Sequence, residues 1–366
     1  MSYQGGNMGV AAGIGLVFAV TIPRVFLSSL ANALMEDAQI AWLTTAISSG
    51  ATLLMMSLLL YVLGRTGGDL IGGTRRLLGN MAAWLVALLY IAIFLTNAVL
   101  LLREFAENTL LTALPYAEFS VVTIWYAFWV AVFIYFGIEV VGRVSYIVLP
   151  FLVTAMLLII FLLIPFYNIS QLAPWQGNGL TLAVYHGLLI AGLNVSAAVV
   201  AVYAREFQNA RTAAQALVFG LGGGAVMKFV YVQGYLMAFG VYVGQEKILP
   251  FFEMSRLVYL NRYLQRIEAL LISLWVIISI LAIAISLYTA IYLIARILNL
   301  PSVQPIIPLV AAMAANIAML PPDIVTALGY DKMYLYISSA GVYVVPAVLF
   351  LAFWFKRKGV QKCIVA

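Results

Sequence analysis

Two basic residues sit where a basic residue is costly. Arg24 ends the tetrad Thr21-Ile22-Pro23-Arg24 inside the apolar stretch 8–34, and Lys228 falls near the middle of the apolar run 213–243. On insertion scales a cation at the centre of a bilayer costs about 3 kcal/mol. A chain keeps such a group where it faces a protein-lined cavity, a carboxylate or backbone carbonyls, or where its stem lets the charge snorkel to an interface. The functional reading is a counter-charge for a ligand, or a gate beside a cavity. Uncharged groups that could share that cavity are Val20 and Thr21 in the first stretch and Gly192, Asn194 and Ser196 in the sixth. Ser279, Ser286 and Thr289 on the eighth make a candidate ion site, although hydroxyls in membrane helices commonly bond their own backbone.

Catalysis finds no support in the same survey. There is no Ser-His-Asp set, no HExxH pair and no phosphate loop, because the glycines at 220, 222, 223 and 224 lack the following Lys-Ser/Thr. Those glycines suit close helix approach. His186 is the one histidine and Cys363 the one cysteine, which leaves no metal-ligand set and no intramolecular disulfide. No span is expected to hold an acid well inside its apolar core, which argues against a carboxylate proton relay. The expectation is therefore no catalytic residue, no metal and no cofactor.

The elements that must position these residues follow from composition. Of 366 residues, 65% are hydrophobic and only 9% charged, with a mean hydropathy of +1.08. Soluble domains average roughly 45–50% apolar and about 25% charged residues, so the chain is an all-α polytopic membrane protein. Taking about 20 residues per span, about ten transmembrane helices are predicted: the stretch 8–34, then 40–63, 81–102, 119–137, 144–164, 180–203, 213–243, 269–295, 306–320 and 333–355. The first stretch is too long for one simple span. Its Pro23 removes a backbone donor and clashes with the preceding turn, so a break is expected at Thr21–Arg24, the alternative being a Pro-kinked helix whose Arg24 snorkels. The sixth span, with Gly187, Gly192, Asn194 and Ser196, is the second candidate for a break, the alternative being glycine and serine used for packing. Breaks at corresponding positions in two halves point to a transporter site. On that reading one membrane domain, 1–366, contains two five-helix repeats, 8–164 and 180–355, and ends in a basic tail, 356–366.

Basic residues collect in cytoplasmic loops, which accounts for the net positive charge without an acidic partner or nucleic acid. With the N-terminus inside, Arg65, Arg75, Arg76, Arg143, Arg205, Arg211, Arg296, Lys356, Arg357, Lys358 and Lys362 fall inside, against Arg103, Lys247, Arg256, Arg262, Arg266 and Lys332 outside. The outer set shares its loops with most acids, among them Glu36, Asp37, Glu104, Glu107 and Asp331. Both termini are expected in the cytoplasm, with no cleaved signal. Residues 167–179 read as an interfacial loop. Residues 243–268 read either as amphipathic helices forming a lid over the outer mouth or as a plain surface loop.

Several stretches together resemble the GerAB family, the B subunits of spore germinant receptors, within the amino acid–polyamine–organocation transporters. Thr21-Ile22-Pro23-Arg24 is similar to that family's first-span Thr-Leu-Pro-Arg, and Trp42 falls where a tryptophan opens the second span. Arg103 and Glu107, Gly142-Arg143, Leu172-Ala173-Pro174 with Gly177 and Gly179, Arg266-Ile267-Glu268 followed by Trp275, Leu320-Pro321-Pro322-Asp323 and the basic tail from Lys356 resemble further landmarks in order and spacing.

The resemblance implies a LeuT-like 5+5 inverted repeat with spans one and six broken at mid-membrane. It implies a nutrient-sensing subunit in the spore inner membrane, working beside an A-type membrane subunit and a C-type lipoprotein, with a small amino acid as the expected ligand. Where relatives carry Gly-x-Gly before the proline motif, this chain has Leu16-Val17-Phe18-Ala19, with Gly13 and Gly15 about one turn earlier. Glycines there would expose amides to a ligand carboxylate, and Phe18 would shrink or fill that pocket. Where relatives often carry an acid in the sixth span, this one has Gly192-Leu193-Asn194. Three functions stay open at this point: a ligand-binding receptor subunit, a secondary transporter for amino acids or organocations, and a structural subunit with a vestigial pocket.

Overall fold

The computed structural model describes residues 8–27, 29–258 and 268–363, all helical or connecting. Fifteen α-helices are named in chain order: α1 (Val10–Thr21), α2 (Ser29–Asp37), α3 (Ala41–Thr66), α4 (Leu70–Leu78), α5 (Asn80–Thr112), α6 (Phe119–Tyr135), α7 (Ile138–Leu162), α8 (Leu180–Ile190), α9 (Val199–Val202), α10 (Ala210–Gly244), α11 (Pro250–Leu257), α12 (Glu268–Leu298), α13 (Ile307–Ala318), α14 (Ile324–Ser339) and α15 (Val345–Cys363). Among the described residues, seven helical stretches are long and apolar enough to cross a membrane. Three shorter apolar ones, Val10–Phe26, Phe119–Tyr135 and Gln304–Ala318, bring the set to the ten expected. The protein is a multi-pass integral membrane protein.

Helix starts are written into the sequence by side-chain caps. Asp69 accepts the amide of Gly72 at 3.0 Å, Asn209 that of Thr212 at 2.8 Å, and Asp323 that of Thr326 at 2.7 Å. Each cap satisfies an orphan donor, worth about 1 kcal/mol. The centre of the bundle is α12, whose residues from Ile278 to Leu293 are buried without exception. It lies against α5, α7, α6 and α1. Helix α1 is buried from Gly15 to Thr21 and is clasped between α10 and α7. Close approach there depends on small residues: a Cβ on Gly13 would meet Ala216 and Phe207, and one on Gly15 would collide with the backbone of Gly142 and Tyr146.

The first break begins at Thr21–Arg24, as expected, and runs on to Leu27. Helix α1 runs through Thr21, and the Ile22 amide still bonds the Phe18 carbonyl at 3.0 Å. Pro23 then opens a 3-10 turn, Pro23–Phe26, a position where its missing N–H costs nothing. Helical winding is lost only at Leu27, which is extended (φ −98°, ψ 177°), before α2 begins. In the sixth span the interruption is a tightening rather than an unwinding. Between α8 and α9 the chain follows a 3-10 helix for eight residues, Ala191–Ala198, where runs beyond three or four are uncommon. Thr52 of α3 donates to the Ala191 carbonyl at 3.2 Å and helps hold that segment.

Two spans overrun their expected ends. Helix α5 continues past Leu102 to Thr112 and takes Arg103, Glu104 and Glu107 into the bundle. Helix α14 starts at Ile324, so Asp331 and Lys332 belong to a helix and not to an outer loop. The expectation that no acid reaches the core fails at Glu104, 2% exposed. Hydropathy ends a span at its first cluster of charges, whereas charges that pair inside the protein do not stop a helix.

Candidate functional site

A chamber of about 380 Å³ opens where the 3-10 turn after α1, helices α2, α3, α10 and α14, and the 3-10 segment of the sixth span meet. Its polar wall includes Arg24, Asn32, Glu36, Thr44, Thr45, Ser48, Ser49, Asn194, Lys228, Asp331 and Lys332. The lining residues of α3 all lie in its first ten positions, so the chamber occupies one half of the bundle and faces the end marked by Glu36.

Two hydrogen-bonded relays cross it. In the first, Arg24 Nη1 donates to Asp331 Oδ2 at 2.9 Å and Oδ1 at 3.2 Å. Its Nη2 donates to Asn97 Oδ1 at 3.1 Å, and Asn97 Nδ2 to Ser286 Oγ at 2.9 Å. The guanidinium also stands over the Tyr334 ring at 5.5 Å. Glu104 is buried beside this pair and acts electrostatically on both Arg24 and Asp331. The relay joins the turn after α1 to α14, α5 and α12. In the second, Lys228 Nζ donates to Asn194 Oδ1 at 2.9 Å, and Asn194 Nδ2 to Ser48 Oγ at 2.9 Å, joining α10, the 3-10 segment and α3.

Beside the chamber mouth, Asp37 is fully buried at the end of α2. It accepts a hydrogen bond from Thr44 Oγ1 at 2.8 Å and lies 2.6 Å from His186 Nδ1 on α8. The 167–179 loop is strapped over this corner: Asn178 donates to the Glu36 carbonyl at 2.8 Å and Gln39 to the Ala173 carbonyl at 3.2 Å. Gly177 sits so close to the Asp37 carbonyl that a Cβ would collide with it, and its φ is +49°. The opposite end of the bundle, about 39 Å away along the 26 residues of α3, is shut by charge. Asp69 meets Arg296 at 2.7 Å and Arg205 at 4.0 Å. Tyr292 donates to Glu206 at 3.4 Å, and the Met8 amide to the Glu206 carbonyl at 2.8 Å. Burial raises the affinity of the Glu206 carboxyl for its proton, against the opposing effect of the Tyr292 hydrogen bond.

The model of a protein family described as "Spore germination protein" matches residues 12–325. The chain belongs to that family. A search of curated proteins finds no match. Among solved structures, this germination-family chain is similar to a Na+-coupled sialic acid symporter in its substrate-bound outward-open state (TM-score 0.69, 15% identity, covering 98% of this chain and 82% of that one). It is also similar to MhsT in complex with L-phenylalanine (0.66, 9%, 96% and 99%), and to MHP1, a nucleobase-cation-symport-1 transporter, closed with bromovinylhydantoin bound (0.65, 11%, 98% and 82%). The fold is LeuT-like, with spans one and six interrupted.

In this family member, the residues singled out from sequence fall into two groups. Arg24, Asn194 and Lys228 line the chamber. Ser286 is joined to it through Asn97, and Ser196 is buried one turn-step beyond Asn194. Gly13 and Gly15 lie deeper in α1 at helix contacts, and Gly192 packs on Leu335, Ser338 and Ser339 of α14. Val20 and Thr21 are buried, Thr21 bonding its own helix at the Val17 carbonyl, 2.9 Å. Ser279 donates to Val276 at 2.8 Å, and Thr289 donates to Ile285 while accepting from Tyr203 at 3.2 Å. The three hydroxyls of the eighth span each bond different partners. The site residues expected from sequence do not include Asp331, Asn97, Glu104 or Ser48. Asp331 and Glu104 fall in expected loops, Asn97 stands beside Thr96 in an apolar run, and Ser48 belongs to a hydroxyl cluster, Thr44, Thr45, Ser48 and Ser49, that is a legible signal. Among the described residues no group of three metal-ligating side chains occurs.

Proposed function

We propose that the chain is the nutrient-binding B subunit of a spore germination receptor, and that a small nutrient, with an amino acid as the leading candidate, binds in the chamber between the two interrupted spans. The observation that carries this reading is a chamber of about 380 Å³, within the usual range of small-ligand sites. It is open at one end of the bundle and separated from the other by the Asp69–Arg296 closure. Each relay ties an interrupted segment to helices on the far side of the chamber. A ligand that binds one arrangement of these segments better than another shifts their balance by the difference in its affinities, and by no more. In the receptor this balance would be read by A-type and C-type subunits in the spore inner membrane, with both termini cytoplasmic. The repeats 8–164 and 180–355 would be the two bodies that move, with 356–366 as a basic tail.

A second reading, secondary transport of amino acids or organocations, is supported by the likeness in fold to transporters. A structural role with a vestigial pocket is the third. A thermal-shift screen of the purified full chain against amino acids, sugars and nucleosides separates them. The receptor reading expects a saturable stabilisation that Asn194→Leu abolishes, without uptake of the same labelled compound into proteoliposomes. Uptake by the chain alone would favour transport. No shift with any nutrient would favour the vestigial pocket.

A further inference from the structure

We propose that Lys228 is the carboxylate anchor of the chamber, so that the ligand is recognised as an organic acid group presented to α10 and not to the amides of α1. The inference rests on the chamber being the ligand site. Lys228 Nζ has Asn194 Oδ1 as its hydrogen-bond acceptor, and among the described residues no carboxylate lies within ion-pair distance of it. Arg24, of the same sign, stands close enough to act on it. Arg24 is itself taken by Asp331, and Glu104 acts on that pair. A half-buried ammonium beside another cation is a costly arrangement that an anion relieves.

Two further donors line the same wall without partners. Tyr231 is 1% exposed and Ser49 is 4% exposed. Both line the chamber, and neither Tyr231 Oη nor Ser49 Oγ has a hydrogen-bond partner. Tyr231 stands three residues after Lys228, on the same face of α10. A buried hydroxyl left unmatched is destabilising, so an acceptor brought to either group is bound with a gain. A carboxylate has two oxygens and about four lone-pair sites, enough for an ammonium, a phenol and a hydroxyl together. Helix α1 from Gly13 to Thr21 offers no rival site, because it is regular there and its amides face their own carbonyls.

The test uses matched acid and amide probes on the full chain: L-alanine and L-alaninamide, L-leucine and L-leucinamide, propionate and propionamide. The wild type is expected to bind at least one acid about tenfold or more tightly than its amide, a difference of about 1.4 kcal/mol. Lys228→Met should bring that ratio to about one, Lys228→Arg should keep it, and Tyr231→Phe should weaken the acid several-fold while leaving the amide unchanged. An acid preference that survives in Lys228→Met overturns the anchor, as does a wild type that binds amide and acid alike or answers to no carboxylate. Should the wild type respond to sugars or nucleosides alone, the anchor fails while the nutrient-binding reading stands. Should Lys228-dependent acid binding be accompanied by uptake into proteoliposomes, the anchor stands and the receptor reading fails.

Discussion

Charged side chains meet across helices both at the closed end of this bundle and in the chamber. At the closed end, Asp69 is matched by Arg296 and Arg205, and Arg296 is held in turn by Tyr292 at 2.8 Å. Both arginines keep part of their surface in water, 29% and 46% exposed. In the chamber the accounts are uneven: Arg24 is satisfied by Asp331 and Asn97, whereas Lys228 has an amide oxygen and no acid. Complete sets of charges near water fix a contact without asking for anything more. An incomplete set inside the bundle is tolerable where a ligand completes it. The two regions therefore use the same residue types for opposite ends, closure at one and recognition at the other.

Substitutions can break that contrast, and the largest effect is expected at the buried pair. Asp331→Asn removes the carboxylate bonded to the buried Arg24 guanidinium and should cost about 3 kcal/mol of stability. Replacing both partners, as Arg24→Met with Asp331→Leu, should recover most of it, and a double variant as unstable as the single one would contradict the pairing. At the closed end Asp69→Asn keeps a side-chain acceptor for the α4 cap and removes the charge. Because its arginines reach water, the loss should be smaller, about 1 kcal/mol, read as a lowered melting point. Lys228→Met should go the other way, with a melting point equal to or above the wild type, since it removes a charge that nothing balances. A clear loss of stability there would show that Lys228 is a structural group.

The smallest effect concerns Glu206. Its carboxyl binds a proton more readily in the folded chain than in the unfolded one, so stability present at low pH is lost as pH rises towards the folded value. Between about pH 5 and about pH 8 the melting point of the wild type should fall more steeply than that of Glu206→Gln. Parallel slopes would remove Glu206 from the account.

Most of the fold is legible because hydropathy and length decide membrane spans almost unaided. The ten apolar runs became ten helical spans, and Pro23 marked the first interruption to within a few residues. What hydropathy misplaces is any charge that the folded chain neutralises internally. Arg103, Glu104 and Asp331 looked like span ends, and each lies inside a helix. The i,i+4 pair Arg103–Glu107, 2.8 Å apart, was a readable sign that α5 continues. Asp331 gave no such sign, because its partner Arg24 is 307 residues away and long-range pairing leaves no local pattern. The same limit explains why Lys228 and Asn194 could be named singly but not joined. Gly13 and Gly15 show the converse: their type announced close approach, and only the packing tells whether the visitor is a ligand or α10 and α7.

The central claim is that the nutrient sits between the two interrupted spans. A density map of the full chain in lipid nanodiscs, saturated with whichever compound raises its melting point, tests it most directly. The account expects ligand density inside the chamber, within hydrogen-bond distance of Asn194 and Lys228. Density confined to the shallow groove between α3 and α10 at Gly50 and Gly222, with the chamber unchanged, would contradict it.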